Sequence, residues 1–444
     1  MSRAAAALAV MIAAGAMHHG DPRAALAGLI AGFVAVLALS LSPDRTGLAV
    51  GGFFVGAGIL SWTYTSRPLV VWALLLVEGL VFAWWSRPWI AWLRPAGRLG
   101  TAWLGLAYWL LGIVGAALVG HVGVAAERTA YAGVFGLAVL GVLARSRSRD
   151  LSTGVAAAFG FALAALLFAG AGNLFRATHP VPDNDWGTGL EHRFWGGPGL
   201  LYHPNSMAGV AVLLAIRVGP DRAFAAWQRV SVVALAGFVV AVTNSRTGFV
   251  FLLAAAVAHA VVSVARRSAS TPERIVPFAV LAAVLVATHG TAFLGQARYA
   301  EGGVTSGRLD TWKQVARDWE HAGWAEKTFG DASDARATVH RESSGDGIEL
   351  TVDNAAVGAL RRGGALGESA FLVGLFLLVR HALRPGARIW FTVAVLASLP
   401  TVATTEWLLG TTGGTLWILA VAGEVTHSGS PVPSPRCSPA GTPC

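Results

Sequence analysis

Four short polar segments interrupt an otherwise apolar chain, and they contain residue types that bind anions and move protons. The first is Tyr202-His203-Pro204-Asn205-Ser206-Met207-Ala208-Gly209, at the start of an apolar run. The second, Thr243-Asn244-Ser245-Arg246-Thr247-Gly248, lies between two apolar runs, where an Arg is costly without an anionic partner. Arg246 therefore either meets an anionic ligand, or snorkels to lipid phosphates and caps carbonyls. Asn205 serves equally well as a hydrogen bond between helices. The third segment, Arg308–Trp319, reads RLDTWKQVARDW. Leu309, Trp312, Val315, Ala316 and Trp319 fall on one helical face, while Arg308, Asp310, Lys313, Arg317 and Asp318 take the other positions. This spacing predicts an amphipathic helix at a membrane–water boundary, acting as a structural lid or carrying function. The same loop holds His340, Arg341, Glu342 and Asp346 around the turn-forming run Ser343-Ser344-Gly345-Asp346-Gly347, and ends at Asp353-Asn354.

Several chemistries have no sequence support. No HExxH, CxxC or DxDxDG pattern occurs, so no metal site and no cofactor is expected. A G-x-x-x-x-G-K-[ST] phosphate loop and a G-x-S-x-G nucleophile elbow are missing too. A reaction at these residues would need a substrate that arrives already activated. Both cysteines, Cys437 and Cys444, lie in the last eight residues, which excludes a disulfide framework for the body.

The elements that must position these residues are read from composition. Of 444 residues, 55% are hydrophobic and only 13% charged, against about 25% charged in a soluble domain. No soluble core of this size hides so much apolar surface, so the solvent is lipid. Apolar runs of spanning length fall near 4–20, 24–41, 46–62, 68–85, 101–120, 129–144, 151–172, 199–217, 228–244, 247–265, 275–293, 356–380, 387–403 and 405–423. The expected fold is all-α: a polytopic integral membrane protein of about 12–14 transmembrane helices, with no internal repeat.

The positive charge is explained by topology. Thirty-one of the basic residues are Arg and two are Lys, with a net charge of +9. With the N-terminus in the cytoplasm, five inner loops carry three Arg each: Arg87, Arg94, Arg98; Arg145, Arg147, Arg149; Arg217, Arg222, Arg229; Arg266, Arg267, Arg274; and Arg380, Arg384, Arg388. Short outer loops carry single residues, Arg23, Arg67, Arg128 and Arg246. No nucleic acid is needed to account for the charge. The chain divides into N-terminal helices (1–172), helices bearing the Asn205 and Arg246 segments (173–293), a large extracytoplasmic loop (294–355), C-terminal helices (356–423) and a disordered cytoplasmic tail (424–444).

Together the segments resemble the O-antigen ligase and O-antigen polymerase superfamily of polytopic membrane glycosyltransferases. The residues that carry the resemblance are Pro204-Asn205-Ser206-Met207-Ala208, Ser245-Arg246-Thr247-Gly248, Gly307-Arg308 with Trp312, and Asp353-Asn354 followed by Arg361-Arg362-Gly363-Gly364 and Gly367. Their order around one long outer loop matches, over roughly residues 195–380. One departure is that Asp353 stands where the family has His. The resemblance implies a GT-C-like fold and a location in the bacterial cytoplasmic membrane, with the active site facing outward. It implies as donor a glycan on a polyprenyl diphosphate, undecaprenyl in type, and as acceptor a hydroxyl on a glycan, lipid or protein. Arg246, Arg308 and Arg361 would hold the diphosphate, because the guanidinium fork grips phosphate oxygens bidentately. His203, Asn205 and Asn354 would support them. The acceptor's proton would go to Asp353 or to His340, whose reference pKa near 6.5 suits base work better. Asp353 could instead be the N-cap of the next helix. Membrane lipids are the remaining expected partner. A transporter or flippase of lipid-linked glycans is the alternative reading, since it too would turn Arg toward a diphosphate. Motifs of the related peptidoglycan polymerases are not found.

Overall fold

The computed structural model describes residues 3–17, 20–41, 45, 47–53, 68–86, 100–123, 125, 129, 132–133, 136–137, 140, 151–172, 174, 194, 196–197, 200–201, 204–266, 271–294, 308–330, 338–341, 348–352, 354–404 and 416–417. In chain order the elements are α1 (Arg3–Ala16), α2 (Pro22–Ser40), α3 (Pro68–Ser86), α4 (Gly100–Leu118), α5 (Leu151–Ala169), β1 (Gly196–Gly197), β2 (Leu200–Leu201), α6 (Pro204–Val218), α7 (Ala226–Val242), α8 (Arg246–Ala265), α9 (Thr271–Leu294), α10 (Arg308–His321), α11 (Trp324–Phe329), β3 (Thr338–Arg341), β4 (Ile348–Thr351), α12 (Ala355–Ala382) and α13 (Ile389–Val402). Among the described residues the protein is all-α apart from two short antiparallel ribbons, β1–β2 and β3–β4. Among the described residues, four helices are long and apolar enough to cross a membrane: α2, α5, α8 and α12. Leu74, Leu76, Val77, Leu80, Val81 and Trp84 of α3 are exposed, an apolar surface that suits hydrocarbon rather than water.

The apolar runs near 46–62, 129–144 and 405–423 lie largely outside the described residues, as do 173–193 and the tail. One boundary is corrected. The run beginning at 199 does not start as helix, because Leu200 and Leu201 pair with Gly197 and Gly196. Helix α6 starts at Pro204, a residue suited to the first helical position because its fixed φ fits and its missing N–H is not needed there. Every residue of α6 is buried, so it forms the centre of the bundle.

Two Arg residues read from sequence as loop charges are instead ties between helices. Arg217 is fully buried at the end of α6. Its Nε donates to Ser152 Oγ of α5 at 3.1 Å and its Nη1 to Asp221 at 2.8 Å. The guanidinium lies over the rings of Phe224 and Trp390, at 5.6 and 5.2 Å from their centroids. Arg266, just past α8, donates to the Ala387 carbonyl and to Thr392 Oγ1, while Thr392 Oγ1 donates to the Ala382 carbonyl. The ends of α8 and α12 and the start of α13 therefore meet at one place. The opposite ends of α8 and α12 are their N-termini. Those ends carry Arg246 and Asn354.

Candidate functional site

The turn between α7 and α8 is built by its own side chains. Thr243 is buried and its hydroxyl donates to the Val239 carbonyl at 2.6 Å, ending α7. Asn244 takes a left-handed conformation, φ 44, which Asn tolerates better than most residues. Ser245 then caps α8: its Oγ accepts from Gly248 N at 3.0 Å and donates to Asn205 Oδ1 of α6 at 2.9 Å. A Cβ at Gly248 would fall 2.5 Å from Ala208 Cβ, so only glycine lets α6 and α8 approach this closely. The Asn205 and Arg246 segments, 40 residues apart, thus form one junction. Arg246 is the first residue of α8 and is half-buried. There it adds its charge to the positive end of the helix dipole. The bond between helices foreseen for Asn205 is real, and its partner is Ser245, the residue before Arg246.

The second pair of segments is also joined. Helix α10 spans Arg308–His321, with Arg308 again first and half-buried. Trp312 Nε1 donates to the Val352 carbonyl at 2.8 Å, and Val315 and Val352 are both fully buried beside Trp312 and Val357. Strand β3 packs along α10, and β4 leads through Val352 to the start of α12. The expected apolar face of α10 is partly wrong. Leu309 and Ala316 are exposed, whereas Thr311 is buried. Burial follows the line along which Val352 and α12 approach, and that line passes over Thr311 and Val315 rather than Leu309.

The N-cap reading of Asp353 is overturned. Asn354 is the cap of α12, accepting from Ala356 N at 2.9 Å and Val357 N at 3.1 Å with extended backbone. Asp353 and His203 lie outside the described residues. His340 stands on β3, opposite Glu349 in the register of the ribbon.

A third contact fixes the loop to the bundle. Helix α12 breaks at Gly364, where φ 60 and ψ −164 are accessible only to glycine. Gly330, with φ 83, closes α11 and sits in that break. A Cβ on Gly364 would lie 2.5 Å from Phe329 N and 2.6 Å from Gly330 N; one on Gly330 would lie 2.5 Å from Gly364 N. A Cβ on Gly115 of α4 would come 2.5 Å from the Gly330 carbonyl. Three backbones are in direct contact here. Beside them, Arg361 Nη1 donates to Glu326 Oε1 of α11 at 3.1 Å, and Arg362 is fully buried. Trp319 Nε1 donates to the Lys327 carbonyl at 3.1 Å, closing α10 against α11.

The structure therefore brings Asn205 to Ser245, the residue before Arg246, and brings Arg308's helix to Val352, just before the Asn354 cap. It gives Arg361 a carboxylate partner, Glu326, that sequence reasoning did not single out. No local signal could have found it, because the two residues are 35 positions apart and belong to different elements. Among the described residues, no group of three or more His, Cys, Asp or Glu is arranged to hold a metal. In comparisons with known proteins, no family model matches the chain and no curated protein does.

Proposed function

We propose that this chain is a membrane glycosyltransferase of the bacterial cytoplasmic membrane. It transfers a glycan from a polyprenyl diphosphate to an acceptor hydroxyl on the extracytoplasmic side, in cell-surface polysaccharide synthesis, as a ligase or a polymerase. The observation that carries this reading is the joining of the four polar segments into two junctions: Asn205 to Ser245 at 2.9 Å, and Trp312 to the carbonyl of Val352 at 2.8 Å. Membrane-crossing helices and a folded polar loop carrying an amphipathic helix are what a GT-C-like enzyme requires.

In the reaction the acceptor oxygen attacks the anomeric carbon as that carbon's bond to the diphosphate oxygen breaks. The leaving group is the lipid diphosphate, whose growing charge needs fixed cations. Arg246 and Arg308, each the first residue of a helix, supply the guanidinium forks together with the helix dipole. The hydroxyl proton passes to Asp353, directly before the Asn354 cap, or to His340 on the ribbon. The test uses purified protein with a defined polyprenyl-diphosphate glycan, scored for release of the lipid diphosphate with and without candidate acceptors. Acceptor-dependent release is expected. Passage of the intact lipid-linked glycan across a vesicle, with no release, would replace this reading with that of a transporter.

A further inference from the structure

Arg361 stands on α12 between the Asn354 cap and the break at Gly364. Its Nη1 makes one hydrogen bond, to Glu326 Oε1 at 3.1 Å, and the two side chains are 21% and 27% exposed. No other bond of its five N–H groups is present among the described residues, although a guanidinium facing a carboxylate commonly makes two parallel bonds. The backbone that carries the carboxylate is nevertheless fixed. The Glu326 carbonyl accepts from Gly330 N at 2.7 Å, and Gly330 is locked against Gly364 and Gly115. A rigid backbone thus brings a single carboxylate oxygen to a cation whose remaining donors meet no other described residue.

Building on the glycosyltransferase reading, we infer that Glu326 is a resident counter-ion that occupies Arg361 until a diphosphate displaces it. A partly exposed, single-bonded ion pair is weak, a factor of about 2 to 5 in equilibrium. A diphosphate carries more charge and more acceptor oxygens than one carboxylate, and it can engage the fork with two bonds. Anions of lower charge exchange with Glu326 less readily, so the pair selects for diphosphate. The rival role for Glu326 is a static strut that only holds α11 on α12. The two roles predict opposite signs, because removing a competitor tightens anion binding while removing a strut weakens it.

The experiment measures binding of inorganic pyrophosphate and, separately, of farnesyl diphosphate to the purified full chain in detergent, by calorimetry. Farnesyl diphosphate binding more tightly than pyrophosphate identifies the ligand as a lipid diphosphate, and equal affinities identify the diphosphate alone as what is recognised. For either probe, Glu326→Gln and Glu326→Ala should tighten binding about 2- to 5-fold at unchanged melting temperature. Arg361→Gln should weaken it, and adding Glu326→Gln to Arg361→Gln should change nothing further. The inference is overturned if both Glu326 variants leave binding unchanged or weaken it. It is also overturned if Glu326→Gln tightens binding equally without Arg361, since that is a general charge effect. Wild-type protein that binds neither probe sinks this inference and the glycosyltransferase reading together. Wild-type binding that Arg246→Lys weakens, with no tightening in the Glu326 variants, sinks this inference alone.

Discussion

Replacing Gly364 by Ala tests whether the loop is locked to the bundle through backbone contact. At φ 60 and ψ −164 an Ala is strained by about 1–3 kcal/mol. Its Cβ would also lie 2.5 Å from Phe329 N and 2.6 Å from Gly330 N, both backbone atoms that cannot rotate away. Overpacking of that kind costs a further ~1–3 kcal/mol. The clash vanishes if α11 lifts out of the break and the strain if α12 then closes into regular helix there, so the substitution favours the undocked loop by about 3 kcal/mol. That corresponds to a rise of about 100-fold in the undocked population, at 1.4 kcal/mol per factor of ten. Limited trypsin digestion reads this directly, because Lys313, Arg317 and Lys327 lie on α10 and α11. When opening is fast relative to cleavage, the rate follows the open population. Two controls fix the scale. Gly386→Ala also sits at positive φ, 89, but its Cβ meets nothing within 4 Å and the residue is remote from α11. It should cost only backbone strain, about 1 kcal/mol, and leave loop cleavage unchanged. Gly79→Ala, inside α3 and in open space, should be neutral or stabilising by about 0.5–1 kcal/mol. If Gly364→Ala is cleaved no faster in α10 and α11 than Gly386→Ala, the lock does not hold the loop.

Other predictions follow from the two junctions and the topology. Arg246→Lys and Arg308→Lys keep the charge but lose the planar fork, so glycan transfer should fall at least tenfold in each; near-normal turnover in both would refute the diphosphate role. Asn354→Asp should preserve folding, since Asp caps as well as Asn. Asp353→Asn should insert and fold normally yet lose transfer, and full activity there, with loss in His340→Ala, would move the base to the ribbon. With Cys437 and Cys444 replaced, an impermeant thiol reagent on intact cells should label Ser333→Cys and spare Ser270→Cys. The reverse pattern would put the loop on the wrong side for an extracytoplasmic transferase.

Much of the helical frame was legible because apolar runs of spanning length leave few alternatives to helix in lipid. The bounds of α8 and α10 were readable for a local reason: each opens on an Arg that follows turn chemistry, and each keeps helical periodicity afterwards. What sequence could not supply was the partner of each polar residue. Arg217 and Arg266 look like any loop Arg until helices from distant parts of the chain bring up Trp390 and Thr392. The buried face of α10 was misread because hydrophobicity ranks Leu309 above Thr311, while the approach of Val352 decides which of them is covered. Asp353 and Asn354 are both good caps, and only the backbone turn selects Asn354.

The tie made by Arg266 also bears on the order of assembly during synthesis. Its side-chain partner Thr392 lies 126 residues further along the chain. At about 5–20 residues per second, those residues emerge roughly 6–25 s after Arg266 itself. Throughout that interval α8 has its cap, and its Ser245 bond to α6 can already form, because Asn205 precedes it by 40 residues. Its other end must wait. The ribosome therefore completes the Asn205–Arg246 junction well before the opposite end of α8 is fastened, and α13 acts as the closing element of the bundle. A chain that stalls before residue 392 would carry a finished junction on a helix anchored at one end only.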